Sequence, residues 1–252
     1  MHRIAAACGC NTGKLRRNNE DNFFFEHRYL PQENDGLDGI LSCETTLNHP
    51  VCFGIFDGMG GEALGEEASY LAAQTMDKHL KMKFELPRCL LDICIDANKR
   101  ICLAACKHNV GLMGATAVLL GFSGATGYVA NIGDSRAFLY RSGKINQISV
   151  DHTDQFLFAK QDRLKRKPRL TQHLGIDPEE MIVEPYIAEI KFQKEDSFLL
   201  CSDGLTDMLD ENEIKEVLHD NSTVASQTEI LIQRALRNGG RDNITVILCK
   251  IE

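Results

Sequence analysis

Between residues 116 and 148 three apolar runs, Thr116–Phe122, Gly127–Ile132 and Ala137–Arg141, follow one another across very short turns. Ser123-Gly124, Gly133-Asp134-Ser135 and Ser142-Gly143 are too short to carry a parallel crossover, so the segment reads as an antiparallel meander. Arg3–Cys8, Val51–Phe56, Ser197–Cys201 and Thr245–Ile251 read as further strands, being β-branched, aromatic or small and bounded by Gly, Asp or Asn. Two long helices are expected before the meander. The first spans about Glu62 to Met82; the second carries Leu90, Cys94, Ala97, Ile101, Ala104 and His108 at steps of three and four. Two more are expected at Glu211–His219, behind an Asp210/Glu213 capping box, and at Val224–Asn238, closed by Gly239-Gly240. Helices grouped between blocks of antiparallel strands describe an α+β layered domain. No linker or repeat divides the chain, so residues 1–252 are expected to form a single domain.

Composition narrows the function classes. A net charge of −8 disfavours nucleic-acid binding, and no glycine-rich phosphate loop follows a strand. The ten cysteines are scattered without a C-x-x-C pair, which reads as reduced buried thiols rather than zinc ligands. The apolar stretch before Cys8 is shorter than the roughly 7–15 residues of a signal core. No run reaches the ~20 apolar residues of a membrane span. No membrane partner is therefore expected, and the expected location is cytoplasmic.

Four aspartates share a local design. An apolar strand ends in Asp57-Gly58-Met59-Gly60-Gly61, and Phe198–Cys201 leads through Ser202 to Asp203-Gly204. Asp242-Asn243 opens the last strand, and Asp134 lies in a turn of the meander. A sheet holds such carboxylates rigidly, and an adjacent glycine admits close approach of a ligand or carbonyl. Converging hard oxygen donors favour Mg²⁺ or Mn²⁺ over zinc. Taken singly, Asp134-Ser135 reads as a plain hairpin turn and Asp242 equally as a strand-initiating cap. Spacing does not show that the four meet.

The ordered set Arg16-Arg17-Asn18-Asn19-Glu20-Asp21, Phe56-Asp57-Gly58-Met59-Gly60-Gly61, Gly114-Ala115-Thr116, Asn131-Ile132-Gly133-Asp134-Ser135-Arg136, Ser202-Asp203-Gly204 and Gly240-Arg241-Asp242-Asn243-Ile244-Thr245 resembles the metal-dependent serine/threonine protein phosphatase family of the 2C type, in its stand-alone bacterial form. The resemblance spans nearly the whole chain. It implies a four-layer sandwich, with two antiparallel β-sheets face to face and α-helices on both sides. It further implies hydrolysis of phosphoserine and phosphothreonine by a metal-bridging hydroxide, with two Mn²⁺ or Mg²⁺ ions and a possible third. Asp57 would bridge the two ions beside the Gly58 carbonyl, with Asp203 and Asp242 on the other ion. Glu20 and Asp21 would hold metal-bound water, Asp134 would serve the third site, and Arg16 would grip the phosphate. The implied partners are phosphorylated proteins and a cognate Ser/Thr kinase, with a monomer as the default state.

Three features qualify this expectation. Met59 and Glu62 stand where some relatives carry a histidine, which leaves the general acid unassigned. Asn11 replaces the first Asp of the family's Asp-x-Gly. A short flap is expected at about residues 151–180, carrying Arg163, Lys165, Arg166, Lys167 and Arg169. That cluster reads as a solvated basic face or, alternatively, as a dock for acidic or phosphorylated surfaces. His152 reads as a hydrogen-bonded structural histidine. The competing functions are a silent phosphoprotein-binding relative and a hydrolase of small phosphate esters.

Overall fold

The computed structural model describes residues 2–59, 64–82, 85–157 and 167–252. Two antiparallel sheets face each other. The first runs β3 (Leu41–Thr46), β1 (Arg3–Asn11), β12 (Ile244–Ile251), β11 (Ser197–Cys201), β8 (Arg136–Arg141), β9 (Lys144–Gln147). The second runs β10 (Tyr186–Lys191), β7 (Thr126–Ile132), β6 (Ala117–Ser123), β4 (Val51–Met59), β2 (Asp21–Phe25), with the short β5 (Gly114–Ala115) paired to the end of β4.

Alternation along these strands sorts side chains into three cores. Phe23, Phe25, Phe53, Ile55, Phe122 and Phe198 fill the space between the sheets. Their neighbours in sequence, such as Phe24 and Phe56, turn outward beneath α1 (Gly65–Leu80) and α2 (Arg88–His108). Leu199, Cys201 and Val246 do the same on the other side, beneath α3 (Asp203–Thr206), α4 (Glu211–His219) and α5 (Val224–Arg237). The result is the expected helix–sheet–sheet–helix sandwich. The α4 capping box is present, with the Asp210 side chain accepting from Glu213 N and the Glu213 side chain accepting from Asp210 N. Helix α1 begins at Gly65, later than the sequence suggests. Among the described residues no helix is long and apolar enough to cross a membrane.

The expected meander is corrected. Strands β6 and β7 pair in one sheet, while β8 and β9 pair in the other. The reason is that β7 already has β6 on one side and β10 on the other, so β8 pairs with β11 instead. The turn Gly133-Asp134-Ser135 is therefore a crossing between sheets and not a hairpin. Gly133 makes the bend at φ +99°, where a Cβ would lie 2.6 Å from Thr116. As β7 leaves its sheet, the Asn131 side chain binds Val150 at both its N–H (3.1 Å) and its C=O (2.7 Å).

Phe122 and Phe198 meet across the sandwich edge-to-face, with ring centroids 5.2 Å apart. Phe198→Ala should destabilise the fold by about 3–5 kcal/mol. Urea unfolding measures this, and a loss under about 1 kcal/mol would show that the inter-sheet core does not depend on that contact.

Candidate functional site

In the β2–β4 ladder Asp21 lies directly opposite Asp57. Phe23 and Ile55, the next residues on the same face, belong to the inter-sheet core, so both carboxylates sit on the inner face at the sandwich rim. Like charges opposed in this way destabilise a sheet unless something compensates. Gly58 allows the close packing here: a Cβ would lie 2.1 Å from Gly65 O and 2.6 Å from Glu20 O.

The other sheet brings its acids to the same rim. Asp203 opens α3 directly after β11, and Gly204 packs so tightly on the Asn243 carbonyl that a Cβ would lie 1.9 Å from it. Ser202 Oγ and Thr245 Oγ1 donate across the gap to Asp21 Oδ2, at 2.8 and 2.6 Å. Asn243 ties the loops together, accepting from Glu20 N at 2.8 Å and donating to Thr12 O and Asn18 O. On the second sheet Thr116 Oγ1 accepts from Asp57 N at 3.3 Å and lies 2.7 Å from Ser135 Oγ, linking Asp57 to the turn that holds Asp134.

Electrostatics show how closely the acids converge. Asp57 is held well above the usual carboxylate range, first by burial and then by the charges of Asp21, Asp203, Asp134 and Asp242. Burial raises Asp21 to about 7, against the Thr245 and Ser202 hydroxyls, with Asp203 and Asp242 adding to the rise. Asp134 is raised to about 7 by burial and then by Asp203. Burial also raises Glu20 and Asp203, opposed by Arg16 and Lys167 respectively.

Among the described residues no three His, Cys, Asp or Glu side chains form a preformed ligand set. Side-chain cations stand among the acids instead. Lys167 Nζ donates to Asp203 Oδ2 and, at 2.8 Å, to Asp207 Oδ2. Arg16 donates to Asp242 Oδ2 at 2.7 Å and lies 3.6 Å from Glu20. Asp21 Oδ1 is buried with no partner among the described residues. Acceptor-only oxygens, carboxylates raised by burial and then by one another's charge, and an orphaned buried oxygen together fit a site for hard divalent cations.

The site thus gathers Glu20, Asp21, Asp57, Gly58, Asp134, Asp203, Asp242 and Arg16 at one rim. Of the basic cluster, Lys167 pairs with Asp203 and Asp207 while remaining exposed, and Arg169 is exposed; Arg163, Lys165 and Arg166 lie outside the described residues. So does Glu62, while Met59 ends β4 and has no titratable group. Asn11 accepts from Gly13 N at 2.9 Å, making a turn that Gly13 completes at φ +81°, so the amide keeps the turn with one charge fewer. His152 is structural: its Nδ1 accepts from Gly133 N at 3.2 Å, and burial lowers its pKa. Burial pushes the Cys10 thiol up to about 12, which removes it as a nucleophile. The roles of Ser202, Thr245, Asn243 and the Arg136–Asp151 pair, joined at 2.6 Å, were missed from sequence. The first three stand inside the motifs, but nothing in their spacing shows which carboxylate or loop they reach.

Comparison with known proteins places this geometry. The profile of the family described as protein phosphatase 2C matches residues 38–239. The serine/threonine phosphatase stp of Listeria monocytogenes is 31% identical over 251 residues, covering 94% of this chain and 91% of that protein. The solved catalytic domain of the serine threonine protein phosphatase PstP, in complex with two manganese ions, superposes with a TM-score of 0.80 at 26% identity over 100% of this chain and 99% of that one. The serine/threonine phosphatase Stp1 of Staphylococcus aureus also gives a TM-score of 0.80, at 27% identity over 98% of this chain and 94% of that one. This chain belongs to the protein phosphatase 2C family.

Proposed function

We propose that the chain is a cation-dependent phosphatase of phosphoserine and phosphothreonine in proteins, acting through a single catalytic domain that spans residues 1–252. The convergence of Asp57 with Asp21, Asp134, Asp203 and Asp242 at the rim carries this reading, in a chain whose relatives are named serine/threonine phosphatases. A phosphate monoester bears about −1.5 to −2 charge near neutral pH. A rim of bare carboxylates repels it, so the site needs cations to receive it. When bound, two Mn²⁺ or Mg²⁺ ions would supply that charge and make water at the site more acidic. Asp57 would be shared between them with the Gly58 carbonyl beside it, and Asp203 and Asp242 would complete the set. Asp134 would hold a third ion, and Glu20 and Asp21 would order water.

Arg16 would bind two phosphate oxygens through its planar guanidinium, trading the Asp242 contact for the substrate. Lys167 would yield Asp203 when a divalent cation takes its place. The reading extends to phosphoproteins made by a Ser/Thr kinase as substrates, and to a monomer working in the cytoplasm.

The deciding experiment is phosphate release from a phosphothreonine peptide with Mn²⁺, with Mg²⁺ and with chelator, beside a small aryl phosphate. Turnover should require the cation, and Asp203→Asn should lower it by at least about a hundredfold, the upper end of outer-shell effects. Turnover of the aryl phosphate alone would favour a small-ester hydrolase, and no turnover by folded, cation-loaded protein would favour a binding module. Arg16→Lys should lower kcat/KM for the peptide about tenfold to a hundredfold, the worth of one charge-assisted hydrogen bond. An unchanged value would remove Arg16 from the phosphate. Stability adds a test independent of turnover. Asp21 and Asp134 are raised from 3.8 to about 7, so between those values the folded protein binds more protons than the unfolded chain. The chelated protein should therefore lose stability as pH rises through that window, and saturating Mn²⁺ should abolish the loss. A flat profile in chelator would contradict the raised Asp21 and Asp134 carboxyls, and with them the burial and crowding of acids described here.

A further inference from the structure

We propose that Ser202, Thr245 and Cys10 are positioning residues: they lock the Asp21 carboxylate through Oδ2 and so reserve Oδ1 for the cation site. The inference rests on the phosphatase reading, because it assigns a use to the oxygen left over. Asp21 is 1% exposed, and both hydroxyl contacts fall on the same oxygen.

The directions of the protons follow from the partners. Ser202 Oγ accepts from Thr245 N at 3.0 Å, which occupies a lone pair and leaves its single proton for Asp21. Its other contact, Asn243 O, is at the long distance of 3.5 Å. Thr245 Oγ1 lies 2.6 Å from Asp21 Oδ2 and 3.1 Å from Cys10 Sγ, and it too has one proton. The form of Asp21 that faces a cation is ionised and only accepts, so in that form the Thr245 proton goes to Asp21 and the contact to sulfur is filled from the thiol side. Cys10 is fit to do so. Its Sγ accepts from Asn19 Nδ2 at 3.1 Å, and burial keeps its proton in place at neutral pH. Asn19 also donates to Asn34 Oδ1 at 2.7 Å, and its own Oδ1 accepts from Asp21 N at 3.3 Å.

The chain Asn19 to Cys10 to Thr245 to Asp21 therefore runs one way, each proton pointing toward the carboxylate. Asp21 Oδ1 is the buried atom at its end that has no partner among the described residues. Leaving a buried acceptor unmet costs about 1–3 kcal/mol. A carboxylate kept for structure alone would be satisfied at both oxygens, whereas one kept for a ligand holds an oxygen back.

The test is Mn²⁺ binding without substrate, followed by electron paramagnetic resonance, with unfolding in chelator as a parallel measure of the fold. Thr245→Val removes the hydroxyl at nearly constant shape and should raise the Kd for Mn²⁺ about tenfold or more, as outer-shell losses do. Thr245→Ser should restore wild-type affinity. Cys10→Ala should weaken binding and Cys10→Ser should recover it. Ser202→Ala gives a second route should the valine variant fail to fold. Wild-type affinity in Thr245→Val and Ser202→Ala would overturn the inference, as would a loss that Thr245→Ser does not rescue. Wild-type protein that binds no Mn²⁺ would instead overturn the phosphatase reading itself, so the two failures are distinguishable.

Discussion

The repulsion among carboxylates at one rim of the sandwich is the constraint to which the rest of the structure responds. Two unit charges about 4 Å apart repel by roughly 4 kcal/mol at an effective dielectric of about 20. A hydrogen bond to a charged group returns only about 1.5–3 kcal/mol. Hydroxyls alone therefore do not hold Asp21, Asp57, Asp134, Asp203 and Asp242 together in ionised form, and either bound protons or positive charge must relieve the crowding. Without divalent ions that charge comes from Lys167 and Arg16. Both sit on groups that the proposed cations would take, so side-chain cations and divalent ions are alternatives for the same carboxylates.

The scaffold makes the crowding possible by keeping backbone close to backbone. Gly58 and Gly204 press against the Gly65 and Asn243 carbonyls in spaces where a methyl group does not fit. Asn243 then fastens three loop positions through one amide. Each sheet contributes acids at a strand end, and the contacts between the sheets at the rim run through the Ser202 and Thr245 hydroxyls and the Asn243 amide.

Most of the helices and the long apolar strands were legible in the sequence, because their periodicity is strong and their ends are marked. Ser197–Cys201 and Glu211–His219 have the boundaries that the sequence suggests. Strands β2, β3, β9 and β10 were missed, as was the two-residue β5. In β2 the run Asp21-Asn22-Phe23-Phe24-Phe25 is buried on both faces and shows no alternation. β3, β9 and β10 are partly exposed edges rich in polar residues, where packing rather than propensity decides. The meander failed for a non-local reason, since the side of β7 that β6 leaves open is taken by β10, a strand more than fifty residues further along the chain. The site followed the same rule. Strand-end aspartates are visible locally, while their convergence and the hydroxyl clamp on Asp21 exist only once both sheets are assembled.

The register that sets Asp21 opposite Asp57 has a further consequence. A slip of one residue would part the two carboxylates, and it would also turn Phe23 and Phe25 out of the inter-sheet core. The aromatic side chains thus enforce a juxtaposition that the charges by themselves reject. The phenylalanines of β2 act as a ruler for the chemistry: a core redesign that preserved stability but relaxed this one strand pairing would leave a sound sandwich with its acids out of step.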